Sequence, residues 1–246
     1  MIYIKSPQEI KIMQEGGKIT TEALKKAVAA VKPGVKTIDI DKIAYNAITS
    51  LGGEPSFMRV EGYKFTTCIN VNAGLVHGLP NDYVIKSGDL VKVDIGTYLK
   101  GFHTDLSYTL EVETTKEEQF LNTGKAAINA GISAFLVGNR VGAISNALQG
   151  VIEGSGYTVS RELVGHGVGK ELHESPYVPG YGRPTDGPEI QAGMVFAIEA
   201  IYQKGNPAIK VLSDEWTIVT KDGSLAGLFE KTVAATKEGP LILADY

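Results

Sequence analysis

Cysteine is almost missing from this chain: Cys68 stands alone, so no disulfide can form within it, and a reducing compartment suits it. No apolar run approaches the roughly eighteen residues that span a bilayer, and the stretch Met1-Ile2-Tyr3-Ile4-Lys5-Ser6-Pro7 lacks the apolar core of a signal peptide. A soluble cytoplasmic protein without a membrane partner is therefore expected. A basic excess is absent too. Lys and Arg number 24 against 28 Asp and Glu, for a formal charge of −4, which offers no general footprint for nucleic acid. No Ser/Pro-rich linker or low-complexity tract divides the 246 residues, 43% of which are hydrophobic. One domain over 1–246 is the simplest reading.

Helix signals open both parts of the chain. Ser6-Pro7-Gln8-Glu9 combines an N-cap, a first-turn proline and a capping-box glutamate. Ile10, Met13, Gly17, Leu24, Ala27, Val28 and Val31 then recur at helical spacing, until Lys32-Pro33-Gly34 stops the run. A second helix is predicted from about Thr37 to Ser50. Asp89–Gly96 and Phe102–Val112 read as a hairpin turning near Leu99-Lys100-Gly101. Thr115-Lys116-Glu117-Glu118 reads as another capping box, opening a helix to about Leu136, and a further helix spans about Val141–Gly154. Strands are expected at 157–165, 193–202, 214–221 and 228–236. Helix, helix, then antiparallel strands thus recurs in 1–113 and 114–246. The fold class implied is α+β, with two pseudo-symmetric halves and a curved antiparallel sheet under helices.

Against this frame stand five residues that can bind metal: Asp94, Asp105, His166, Glu199 and Glu230. Asp94 and Asp105 lie on the paired hairpin strands, where side chains alternate faces and two acids can share one. Glu199 follows the apolar run Met194–Ile198, and Glu230 follows Leu228-Phe229. An acid among apolar residues is costly to bury without a partner, and a cation removes that cost. Four carboxylates and one imidazole suffice for two adjacent divalent ions. Taken singly, each acid reads first as an edge, turn or strand-end carboxylate in water; it is the five together that point to metal. His166 is flanked by glycines in GHGVG, and no P-loop or GxGxxG pattern surrounds it. His173 lies before a proline in an extended turn, which excludes an HExxH helix. His77 sits in a turn, and His103 carries no motif role and is read as structural.

The segments VHG (76–78), VDIG (93–96), HTD (103–105), GHGVG (165–169), LHESP (172–176), AIEA (197–200) and FEKT (229–232) together resemble the methionine aminopeptidases of the short bacterial type. The likeness runs from about Ile4 to Thr236. It implies the pita-bread fold and a dinuclear centre holding Co, Mn, Fe or Zn, whose two cations acidify a shared water for attack on the first peptide bond. By position it implies that Asp94 chelates one cation and His166 and Glu199 the other, with Asp105 and Glu230 bridging. Glu199 would shuttle the proton, His173 would hydrogen-bond the carbonyl oxygen, and His77 would contact the scissile amide nitrogen. Phe57, Tyr63, Cys68, Leu172 and Trp216 would form the methionine pocket. Nascent polypeptide N-termini are the implied partner, with the ribosome a candidate contact, and a monomer is expected.

The chain departs from the family at Ala200, where proline is usual, and at Lys231, where histidine is common. Phe57 and Leu172 replace a cysteine and an aromatic of the pocket. None of these changes removes a ligand. The other readings are a Xaa-Pro aminopeptidase of the same fold and a catalytically inactive pita-bread protein used for binding. Cys68 has no neighbour that would activate it as a nucleophile.

Overall fold

Period-two alternation explains the architecture of the computed structural model, which describes residues 2–246. The elements run α1 (Pro7–Ala29), α2 (Thr37–Ser50), β1 (Glu54–Pro55), β2 (Thr67–Val71), β3 (Gly74–Val76), β4 (Leu90–Leu99) and β5 (Phe102–Glu111). They continue as α3 (Glu118–Ala134), α4 (Val141–Gly154), β6 (Thr158–Val159), β7 (Val164–Gly167), β8 (Glu174–Pro179) and β9 (Val195–Gln203). The last are β10 (Ile209–Val211), β11 (Ile218–Thr220), β12 (Ala226–Thr236) and β13 (Gly239–Ile242). Ten strands form one sheet with the central order β1-β4-β5-β12-β9-β7-β8, all its pairs antiparallel. β10, β11 and β3 make a smaller sheet.

The helices cover one face of the large sheet. Leu24, Ile40 and Ile48 of α1 and α2 pack on Val93, Ile95 and Leu106 of β4 and β5. Ile128, Ile144 and Leu148 of α3 and α4 pack on Phe196 and Ile198 of β9 and Phe229 and Val233 of β12. Burying these side chains removes apolar surface from water, which drives the layers together. Residues one step along each strand therefore point to the opposite face. Those include Asp94, Asp105, Glu199 and Glu230.

Local signals set the first helix and the hairpin. Ser6 caps α1, with Glu9 closing the box. Lys100 and Gly101 both take positive φ, 49° and 93°, a two-residue turn suited to strand twist. The expected capping box at Thr115–Glu118 does not form. No side chain caps α3 from its own N-cap. The Glu111 carboxylate, arriving from β5, accepts instead from the Lys116 and Glu117 amides at 3.0 and 2.8 Å, in the turn that leads into the helix.

Other boundaries shift. The strand expected over 157–165 is two short pieces, β6 and β7. That expected over 214–221 shrinks to β11, because the Asp214 carboxylate accepts from Trp216 N, Thr217 N and Thr217 Oγ1 and makes a turn there. β8, β10 and β13 had no clear sequence signal. Lys231 lies across the sheet from Glu230, 2.7 Å from Asp245. Ala200 is buried opposite Phe229 on β12.

Candidate metal centre and substrate pocket

Strand register places the acids. Asp94 on β4 lies opposite Ser107 on β5, Ser107 opposite Glu230 on β12, and Glu230 opposite Glu199 on β9. One row across four strands thus carries three carboxylates and a hydroxyl. Two residues along, Gly96 faces Asp105, and Ala197 lies between Thr232 and His166. The second row adds Asp105 and His166 to the same face. Small residues between them leave the space that the five ligand-type side chains fill.

The group lies largely out of solvent: Asp94, Asp105, His166 and Glu230 are all buried, and the Glu199 side chain is 11% exposed. The alternative of strand-end acids in water is excluded. One ligand-type atom each from Asp105, His166 and Glu230 lies within 4.8 Å of the others. The Glu199 carboxylate is 3.6 Å from His166 Nε2. His166 Nδ1 is 2.9 Å from the Gly167 carbonyl. A carbonyl only accepts, so Nδ1 carries the proton and the Nε2 lone pair faces the acids.

Electrostatics make this face a site for positive charge. Burial, then Asp105 and Glu199, holds the Asp94 carboxyl well above the usual carboxylate range. Burial likewise pushes Asp105 up to about 7, and burial followed by neighbouring acids raises Glu199 and Glu230. Burial lowers His166 to about 3. Such a cluster is expensive without a cation. Asp94 Oδ1 and Glu230 Oε1 are buried with no hydrogen-bond partner, whereas Glu230 Oε2 accepts from Ser107 Oγ at 2.9 Å. Oxygen-rich donors, one free imidazole nitrogen and orphaned carboxylate oxygens fit divalent cations.

A cavity of about 120 Å³ adjoins the acids. Phe57, Tyr63, Cys68, Leu172 and Trp216, all named from the sequence, line it beside His77 and His173. Val60 and Val76 also line it; nothing separates them from ordinary core residues in the sequence. Tyr63 anchors the wall: its hydroxyl donates to the Thr67 carbonyl at 2.8 Å, and Trp216 meets its ring edge-on at 4.9 Å. Burial pushes the Cys68 thiol well up, consistent with a packing role rather than a nucleophilic one.

The histidines are held differently. His77 takes φ 58°, a left-handed conformation uncommon outside glycine. A Cβ on the next residue, Gly78, would stand 2.5 Å from Asn70 Oδ1 and the Ile69 carbonyl. His173 stacks edge-on to His166 at 4.4 Å. Burial lowers the pKa of both His77 and His173, leaving neutral rings able to donate or accept. His103 is not in this cavity.

Sequence reading also passed over Lys92. On β4, two residues before Asp94 and on the same face, it is fully buried and donates to the carbonyls of Asn72 and Ala226 at 2.7 and 3.0 Å. Burial lowers it to about 7. It ties β4 to β12 beneath the acids.

A sheet face of buried acids with one free imidazole nitrogen, opening on a one-side-chain pocket, defines a metal-dependent hydrolase. The family model "Metallopeptidase family M24" matches residues 11–237, and the chain belongs to that family. It is 42% identical to a methionine aminopeptidase of Clostridium perfringens over 99% of this chain and 98% of the relative. With methionine aminopeptidase 1 of Bacillus subtilis it shares 41% identity over 97% of each. The crystal structure of methionine aminopeptidase from Thermotoga maritima superposes with TM-score 0.98 at 37% identity, covering 100% of both chains. A prolidase from Pyrococcus furiosus superposes with TM-score 0.81 at 23% identity, over 99% of this chain and 65% of that one; that likeness speaks to fold alone. The fold is the pita-bread arrangement expected from the sequence.

Proposed function

We propose that this chain removes N-terminal methionine from nascent proteins and peptides, hydrolysing the first peptide bond at a pair of divalent cations. The row Asp94–Ser107–Glu230–Glu199, with Asp105 and His166 beside it on one buried face, carries the reading. Asp94 would hold one cation, His166 and Glu199 the other, and Asp105 and Glu230 both. Cations of this kind, Co, Mn, Fe or Zn, supply positive charge that acidifies water and polarises a peptide carbonyl.

The chain's own groups do the rest. Glu199, whose carboxyl burial makes proton-retentive, takes a proton and passes it towards the leaving amine. His173 donates to the carbonyl oxygen as negative charge grows there. His77 contacts the scissile amide nitrogen, held in place by its left-handed backbone. Phe57, Tyr63, Cys68, Leu172 and Trp216 take the unbranched thioether side chain, which suits a small apolar cavity. Polypeptide N-termini in the cytoplasm are the substrates, met by a monomer.

Discrimination between related side chains in such a pocket is modest, about 1–3 kcal/mol per methylene. Leucine at the first position is therefore a slow substrate rather than an excluded one. The Xaa-Pro reading is not favoured: identity is 23% with the Pyrococcus prolidase and 37% with the Thermotoga methionine aminopeptidase. An inactive binding protein is not favoured either, since all five ligand-type residues are present on one buried face. Turnover of Met-Ala-Ser, Leu-Ala-Ser and Ala-Pro peptides with Mn, Co or Fe tests the reading. Met-Ala-Ser should be cleaved fastest. Preference for Ala-Pro, or no turnover with any metal, would overturn it.

A further inference from the structure

Past the wall of Val60, Leu172 and His173 a second cleft opens, with a volume of about 720 Å³. It shares those three residues with the smaller cavity, so the two lie on either side of a common wall that includes the His173 imidazole. Its far side is built by the Ser56–Arg59 segment, by Tyr98 and His103 of the β4–β5 hairpin, and by the loop at Lys170-Glu171. A cleft of roughly 300–1,000 Å³ is of the size that takes a drug-sized ligand, which a short peptide segment matches. The smaller cavity holds one side chain, so any longer chain bound there has to leave it.

The cleft is built rather than incidental. The Ser56 hydroxyl and His103 Nδ1 lie 2.6 Å apart, and the Tyr98 ring lies 4.8 Å from the imidazole. Tyr98 also shelves the Arg59 guanidinium, which sits 3.8 Å above its ring. Arg59 remains 46% exposed and keeps Glu54 at 3.1 Å. Lys170 lines the opposite wall, its ammonium 4.7 Å above the Tyr3 ring at the cleft's edge and free to swing on an unbranched stem, and Glu171 is the only acid among the lining residues.

We propose that this cleft receives the polypeptide downstream of the cleaved bond, about residues three to five, and that Arg59 and Lys170 make it favour acidic side chains there. The assignment rests on the aminopeptidase reading above. A chain whose first carbonyl lies at His173 continues past that imidazole, and the shared wall leads it into the cleft. His103 then serves the known reaction by shaping the floor under the departing chain, a role the hairpin position alone did not reveal.

The test compares kcat/KM for Met-Ala-Ser, Met-Ala-Ser-Asp-Asp-Ser and Met-Ala-Ser-Lys-Lys-Ser. Wild type, Lys170→Glu and Arg59→Glu/Lys170→Glu are loaded with the same metal. Exposed charge contacts are worth about two- to fivefold each, so the wild type should favour the Asp peptide over the Lys peptide about tenfold, chiefly in KM. Added salt should shrink that ratio, the single variant should level it, and the double variant should invert it. Equal rates for the two hexapeptides, or a ratio that survives charge reversal, would overturn the cleft assignment alone. Failure of the wild type to cleave Met-Ala-Ser with any metal would overturn the aminopeptidase reading, and the cleft with it.

Discussion

Replacing Glu174 by alanine should loosen the loop that carries His173 and cost the whole protein stability. The Glu174 carboxylate sits 2.6 Å from Lys5 Nζ, with side-chain exposures of 11% and 2%. Its other oxygen accepts from the backbone N–H groups of Lys170 and Glu171 at 2.7 and 3.3 Å. Burial lowers the Lys5 pKa, opposed by the Glu174 contact, so the ammonium depends on that carboxylate. Removing one partner of a buried pair costs about 3–5 kcal/mol. In a chain of this length each kcal/mol moves Tm by about 2–4 °C, so Tm should fall by roughly 6–20 °C by calorimetry. Turnover of Met-Ala-Ser should fall in kcat more than in KM, because the groups released hold His173 rather than the pocket. Lys5→Met leaves Glu174 its two amide donors and should cost less. Combining it with Glu174→Gln should cost less than the sum, since neither charge is then left alone. A Glu174→Ala protein melting within about 2 °C of wild type, on the same conversion, would refute the reasoning.

Asp105→Asn should lower turnover more than about a hundredfold and abolish tight metal uptake in metal analysis, with circular dichroism unchanged; normal cleavage would show that Asp105 holds no cation. Chelated protein should lose stability with rising pH. Carboxyls whose folded pKa is raised stabilise below the ordinary carboxylate range, and that contribution is lost as pH climbs through the raised value, about 7 for Asp105. The histidines, whose folded pKa is lowered, oppose this below the ordinary imidazole value of about 6.5, so Tm in chelator should fall chiefly from there upwards, while metal-loaded protein holds; matching profiles would refute this. Gly17→Ala should lower Tm despite better helix propensity, because its Cβ would stand 2.0 Å from the Leu243 carbonyl oxygen. The expected net loss is about 1–2 kcal/mol, and an unchanged Tm would show that the C-terminal segment yields. Cys68, buried and with its thiol pKa raised, should react with Ellman's reagent at least about a hundredfold more slowly in native than in unfolded protein.

Where an element is stabilised by its own residues, reading along the chain reached it. Ser6, Pro7 and Glu9 start α1 within one turn, and Lys100-Gly101 closes the hairpin within two residues. Where a partner comes from elsewhere, the same rules misled. Thr115 looked like a cap, but the helix starts later and Glu111 takes the Lys116 and Glu117 amides just ahead of it. β13 pairs only with the end of β12, and β10 only with β11, so neither has a local pattern of its own.

Composition and spacing by themselves determined the chemistry on offer: four acids and a histidine set among apolar residues, where burial without a cation is costly. They also determined the α+β layering, because apolar alternation dictates which face of each strand the helices cover. Only the tertiary structure decided that these groups meet. Asp94 and Glu230 are far apart along the chain, and their shared face depends on the register of β4, β5, β12 and β9; a one-residue slip of any strand would turn its acid towards the helices. The cleft beyond His173 belongs to the same category. Its walls come from three separate stretches, and a volume enclosed between distant segments leaves no trace in the order of residues.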